Sequence, residues 1–200
     1  LVVELDGAAE EVAHEYDQVE RICAEQGAFE FRMATDALER AEIWKGRKSA
    51  FAAVGRISPD YIVQDGVVPR TALPEVLREM SRISAERGVR VANVFHAGDG
   101  NLHPLVLFDA AEEGATERAE EVSGMILDLC IRHGGSITGE HGVGADKARY
   151  MPRMFTEEDL DTMQLVRCAF DPDGIANPGK IYPTPRLCGE RPRVVKGAHA

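Results

Sequence analysis

The stretch Val89–Phe108 constrains this chain most. Two apolar, β-branched runs, Val89–Phe95 and Leu102–Phe108, are separated by Gly98-Asp99-Gly100-Asn101. Residues that tolerate left-handed backbone, set between strand-forming runs, make a tight turn and an antiparallel hairpin. A hairpin buries its apolar face only against other elements, and the flanking sequence supplies helices. Leu73, Val76, Leu77, Met80 and Ile83 recur at helical spacing, with Pro74 in the first turn, where its missing N–H costs nothing. Ala115, Ala119, Val122, Ile126 and Leu129 do the same over about 113–133, closed by Gly134. No Gly-x-Gly-x-x-Gly follows a strand. The expected class is α+β: an antiparallel sheet with helices packed on one face and a further helical segment at the C-terminus.

Further elements follow from local patterns. Residues 1–6 and Phe29-Glu30-Phe31 alternate like short strands, and a strand is expected over 61–68. Helices are expected over about 8–26, closed by Gly27, and over Thr35–Ala53 with Thr35 as N-cap. Thr156 and Asp159 form a capping box that opens a last helix ending near Phe170. Segment 134–144 is too rich in glycine for a core element, and the tail from Pro183 is basic and reads as loose.

Composition excludes several classes. The 200 residues carry 34 acidic against 23 basic side chains, a net charge of −11, which argues against nucleic-acid binding. At 44% hydrophobic and 28% charged, the chain is of globular composition, and no apolar run is long enough to span a membrane. Cys23, Cys130, Cys168 and Cys188 form no CxxC pair and read as free thiols of a reducing compartment. The chain opens on Leu1-Val2-Val3-Glu4 without Met or a basic leader, as the middle of a longer protein would.

Chemistry concentrates in two segments. His96 and His103 flank the hairpin turn, so their imidazoles can converge from adjacent strands. Glu140 and His141 lie between glycines that let backbone approach a ligand closely. Two His and a Glu suit a divalent ion with open positions. The same residues also fit a structural histidine pair and a tight connection, and periodicity does not say whether the segments meet. His14 reads as a surface or packing residue, and His133 as complementing a helix C-terminus. Arg47 interrupts an aromatic stripe of Trp44 and Phe51. Its spacing fits a stem stacked on Trp44 or a bidentate clamp for a carboxylate.

Taken together, His96-Ala97-Gly98-Asp99-Gly100-Asn101-Leu102-His103 and Gly134–Gly144 resemble the C-terminal region of the FAD-linked oxidases of the vanillyl-alcohol oxidase type. The likeness is strongest to glycolate oxidase flavin subunits, with D-lactate and D-2-hydroxyglutarate dehydrogenases as relatives. Trp44-Lys45-Gly46-Arg47, Gln64–Arg70, Ala169–Lys180 and Pro183–Cys188 extend it over almost the whole chain.

The resemblance implies that residues 1–134 form a ferredoxin-like substrate-cap domain, that 135–185 are a C-terminal helical return segment packing on an FAD-binding domain outside this chain, and that 186–200 are a tail. It implies FAD, a divalent metal such as Zn or Mn on His96, His103 and Glu140, and His141 as the catalytic base. Arg47 and Asn101 would bind substrate, and Asn177 would lie near the flavin. The implied activity is oxidation of glycolate or a similar small 2-hydroxy acid to the 2-oxo acid. D-lactate or D-2-hydroxyglutarate dehydrogenation is the alternative, and a non-catalytic metal-binding or assembly module is a third reading. Tyr61-Ile62-Val63-Gln64 carries no cation where some relatives acting on dicarboxylates place a lysine, which favours a monocarboxylate. Implied partners are the chain's own FAD-binding domain and other glycolate oxidase subunits, an iron–sulfur one included. The implied location is the cytoplasm, or a membrane surface reached through partner subunits.

Overall fold

The computed structural model describes residues 1–183. The expected tail beyond 185 and Cys188 lie outside them. The chain separates into two compact units, Leu1–Val54 and Gly55 onward. The expected boundary at 134/135 falls inside the second unit, where helix gives way to the glycine-rich segment.

The first unit is helical: α1 (Ala9–Glu25), α2 (Ala37–Lys48) and α3 (Ala50–Val54). Residues 1–6 and Phe29–Phe31 are not strands, because neither run finds a ladder partner. The second helix starts one residue later than expected. Asp36, with extended backbone, caps it by accepting the Glu39 N–H at 2.8 Å. Thr35 instead donates both its N–H (3.0 Å) and its hydroxyl (2.9 Å) to the Glu39 carboxylate. The run then breaks at Ser49, which separates α2 from α3. In the same unit Glu4 accepts from Arg40 and, at 2.7 Å, from the Trp44 indole N–H.

The second unit is the expected α+β arrangement. Its order is β1 (Asp60–Val63), β2 (Gly66–Val67), α4 (Leu73–Arg87), β3 (Val91–His96), β4 (Asn101–Phe108), α5 (Ala115–Arg132), α6 (Met151–Met154) and α7 (Glu157–Phe170). All strand pairings are antiparallel, and β4 is central, with β3 on one side and β1 and β2 on the other.

The strand expected over 61–68 is split for a physical reason. Val63 faces Leu105 and Gly66 faces Leu102 in one register, which leaves Gln64 and Asp65 opposite Pro104 and His103. Gln64 donates its N–H to the Pro104 carbonyl at 3.0 Å, and Pro104 has no N–H to return.

One sheet face, with Ile62, Val91, Phe95, Leu102 and Val106, packs against Val76, Met80 and Ile83 of α4 and Val122, Ile126 and Leu129 of α5. Burying each such side chain stabilises by about 1.5–3 kcal/mol. A smaller cluster joins Leu127 of α5 to Ile137, Tyr150, Met151 and Leu160. The capping box on α7 is present in both directions, Thr156 to Asp159 and back. Cys23 and Cys130 are free thiols, and burial pushes Cys130 up to about 12. Cys168 is disulfide-bonded, so the expectation of free thiols fails at that position.

Candidate metal centre

The strand alternation sends His96, Asn101 and His103 to the sheet face opposite the α4–α5 core, because His96 pairs with Asn101 and the partner positions share a face. Asp65, across from His103, joins them. The glycine-rich segment reaches this face through the edge of β2. Val67 and Ser136 exchange two backbone hydrogen bonds, at 3.0 and 2.9 Å. Gly135 permits that approach, since a Cβ there would lie 1.8 Å from the Val67 carbonyl oxygen.

The result is a cluster in which Asp65, His103, Glu140 and His141 each place one donor atom within 4.8 Å of the others. His103 is buried, and its Nε2 stands 2.8 Å from Glu140 Oε1. That contact has the length of a charge-assisted hydrogen bond, and it brings together two groups that can both ligate one cation. His103 Nδ1 lies 3.3 Å from the carbonyl oxygen of Gln64, the one that Pro104 leaves without a ladder partner. With Nδ1 donating to that carbonyl, the Nε2 lone pair would be available to a cation, as in metal-bound histidines whose other nitrogen is held. The His141 ring stacks on His103 with centroids 4.9 Å apart, its Nε2 4.0 Å from Glu140 Oε1. His96 stands perpendicular to His103, with ring centroids 5.6 Å apart.

Beneath the loop lies Asp65, fully buried. Its Oδ2 accepts the Thr138 hydroxyl (2.8 Å) and the N–H groups of Gly139 (2.9 Å), Glu140 (3.1 Å) and His141 (2.8 Å). Lys147, also buried, places Nζ 3.7 Å from the same oxygen and donates to the Asp65 carbonyl at 3.3 Å. Burial is the largest influence on the Asp65 carboxyl and alone would raise it. The His141 N–H, the Thr138 hydroxyl, the Gly139 N–H and the Lys147 charge outweigh it and hold the group at about 2. Lys147 is in turn lowered by burial, with Asp65 opposing.

Asn101 is buried beside this cluster, and its Oδ1 has no hydrogen-bond partner. Gly139 closes against it, since a Cβ there would lie 3.0 Å from that oxygen. A buried acceptor without a donor from the protein is open to a hydrogen bond from a ligand or water.

Of the residues expected from sequence, the structure brings His103, Glu140 and His141 together, with His96 and Asn101 adjoining them. Arg47 lies on α2 in the first unit, half-buried. Asn177 lies in the turn after α7 with φ 46° and accepts through its carbonyl from Arg167 at 3.3 Å. Asp65 and Lys147 were not singled out in the sequence. The available signal was a carboxylate inside an apolar strand, which burial obliges to find donors.

Residues 1–181 match the family described as FAD linked oxidases, C-terminal domain. The chain is 52% identical over 190 residues to glycolate oxidase subunit GlcD of Escherichia coli strain K12, covering 95% of this chain and 38% of that protein. It is 36% identical over 182 residues to the Bacillus subtilis subunit of the same name, covering 91% and 39%. It is 30% identical over 190 residues to a mitochondrial D-lactate dehydrogenase (cytochrome) of Arabidopsis thaliana, covering 94% and 33%. The chain thus spans well under half the length of these curated relatives. Among solved structures, 4-ethylphenol oxidase from Gulosibacter chungangensis, in an isoeugenol complex, aligns over 90% of this chain and 38% of its own. Its TM-score of 0.60 at 17% identity shows a shared fold.

Proposed function

Because the chain belongs to the C-terminal domain family of the FAD linked oxidases, we propose that it is the substrate- and metal-binding part of an FAD-dependent 2-hydroxy-acid dehydrogenase or oxidase of the glycolate oxidase type. The substrate is glycolate or a similarly small 2-hydroxy acid, and the product is the 2-oxo acid. The observation that carries this reading is the convergence of His103, Glu140 and His141 beside the orphaned Asn101 oxygen. A neutral imidazole whose other nitrogen is held, beside a carboxylate, is a donor set that fits a borderline divalent cation such as Zn or Mn.

His103 and Glu140 would hold that ion, with His96 as third ligand. When bound, a divalent cation supplies a Lewis acid that eases ionisation of the substrate hydroxyl. FAD, when bound, supplies the acceptor for the α-hydrogen. As the C-terminal-domain family implies, FAD would be held chiefly by an FAD-binding domain outside this sequence, with Asn177 near it. The rest is done by side chains. Arg47 binds the substrate carboxylate. Asn101 binds the substrate through its side-chain amide. His141 takes the hydroxyl proton at Nε2, the nitrogen that faces Glu140.

The partners are other glycolate oxidase subunits, an iron–sulfur one included. No helix among the described residues is long and apolar enough to cross a membrane. The place of action is the cytoplasm, or a membrane surface reached through those subunits.

The test is a substrate panel on the full-length protein with an artificial electron acceptor. Fastest turnover on glycolate supports the reading, and preference for D-lactate moves the protein to that branch. Preference for 2-hydroxyglutarate refutes the argument from the cation-free Tyr61–Gln64 strand. No turnover on any 2-hydroxy acid refutes the function.

A further inference from the structure

We propose that Asp65 is a positioning residue whose buried carboxylate is the mould on which Thr138–His141 folds, and that it thereby holds Glu140 and His141 against His103. Where it concerns metal and substrate, the inference rests on the function proposed above.

The argument begins with unmet donors. Residues 138–141 belong to no helix or strand, so their N–H groups need an acceptor other than a ladder. Three consecutive N–H groups and one hydroxyl turn onto the single oxygen Oδ2 of Asp65. This is an anion-binding concavity of backbone amides, with the anion supplied by the protein itself. Only an ionised carboxylate accepts at both oxygens and donates at neither. Its charge, unaffordable alone at full burial, is matched by the Lys147 ammonium beneath it.

That commitment also separates Asp65 from its neighbours in the cluster. Oδ2 is taken by the loop, and Oδ1 stands 3.3 Å from the Glu140 N–H and 3.9 Å from His103 Nδ1. Glu140 and His141, by contrast, are half-exposed at their side chains and turn toward His103. Asp65 spends its lone pairs on backbone so that the next two side chains are free to face the imidazole. Gly139 completes the mould by letting the loop close on Asn101 without a Cβ.

The test uses the full-length protein, its Asp65→Asn variant, and Asp60→Asn as a control. Asp60 lies on the same edge of the sheet but accepts the Ala110 N–H, away from the loop. Three quantities are read: hydrogen exchange at Gly139, Glu140 and His141, affinity for added Zn or Mn alone, and kcat and KM on glycolate. In Asp65→Asn the three amides should exchange roughly tenfold faster or more, the equivalent of a charge-assisted hydrogen bond. Metal affinity should fall about 10–100-fold, as for other outer-shell losses. The kcat should fall while KM stays within a few-fold, because Arg47 is untouched. Asp60→Asn should change none of these.

Unchanged exchange in Asp65→Asn overturns the proposal, and unchanged exchange with complete loss of metal would make Asp65 a ligand instead. If Asp65→Asn does not fold, Thr138→Val removes one of the donors and should still speed exchange at Gly139–His141. No acceleration there overturns the proposal equally. A wild-type protein that binds neither metal and oxidises no 2-hydroxy acid would refute the function, while exchange alone would still decide the role of Asp65.

Discussion

The Nε2 atom of His103, in the central strand, lies 2.8 Å from Oε1 of Glu140, in the glycine-rich segment that docks on the sheet edge. Two sequence-distant groups that can ligate one cation meet there. His103→Ala should therefore weaken binding of Zn or Mn by at least about 100-fold, more than an outer-shell loss. Elemental analysis after dialysis checks it, and metal retained at wild-type stoichiometry would remove His103 from the ligand set.

Pro104 is unusual in a central strand, and its consequence is chemical. It leaves the Gln64 carbonyl without a ladder donor, and His103 Nδ1 stands 3.3 Å from that oxygen. Pro104→Ala supplies an N–H that competes for the carbonyl. Stability should stay level or rise by up to about 1 kcal/mol, one added hydrogen bond. Metal affinity should fall roughly tenfold as the imidazole loses its orienting partner. Urea unfolding and metal titration of the same variant read both effects, and unchanged affinity would show that the carbonyl does not orient the ring.

The Asp65 carboxyl, held at about 2 against the usual 3.8, binds its proton less readily folded than unfolded. Its stabilisation is therefore complete above about pH 4 and lost as pH falls through about 2. The shift of nearly two units corresponds to about 2 kcal/mol. Asp65→Asn should be less stable than wild type at pH 7 by about that amount, with the gap narrowing below about pH 4 and roughly halved near pH 3. Chemical denaturation with a chelator present, at pH 7, 4 and 3, checks it. A gap independent of pH would mean that the carboxylate charge is not what the loop binds.

What the sequence made legible was local. The hairpin, the buried face of α4, the inward stripe of α5 and the capping box of α7 are each encoded within one or two turns of chain, and all are present. The failures are of two kinds. Residues 1–6 and 29–31 have strand-like alternation, but alternation supplies no partner strand, and neither run pairs. Thr35 and Asp36 are both good caps, and only backbone geometry decides between them. The site divides the same way. His96, His103, Glu140 and His141 stand out by residue type, whereas Asp65 and Lys147 matter through contacts to residues 138–141 that no local spacing encodes.

The hairpin turn offers a paired test of backbone demand. Gly100 has φ 72°, and a Cβ on it would lie 2.1 Å from the Val68 carbonyl oxygen. Gly98 in the same turn has nothing within 4 Å. Gly100→Ala should cost more than about 3 kcal/mol, combining backbone strain with a clash against main chain. Gly98→Ala should stay within about 1 kcal/mol. Thermal unfolding of the two variants checks the contrast, and equal losses would mean that the close approach to Val68 is not maintained.

His141 is the residue on which the proposed proton transfer depends. Its side chain is about half exposed, open to a substrate, while its backbone N–H is fixed to Asp65 at 2.8 Å and its ring is stacked on His103. A base must be both reachable and held, and this combination meets both requirements. In the full-length protein, His141→Ala should lower kcat on glycolate by about 10²–10⁴, with a smaller change in KM. Metal content separates this role from ligation: His141→Ala should keep its ion where His103→Ala loses it. Turnover within a few-fold of wild type would take His141 out of the base role, and loss of the ion would make it a ligand.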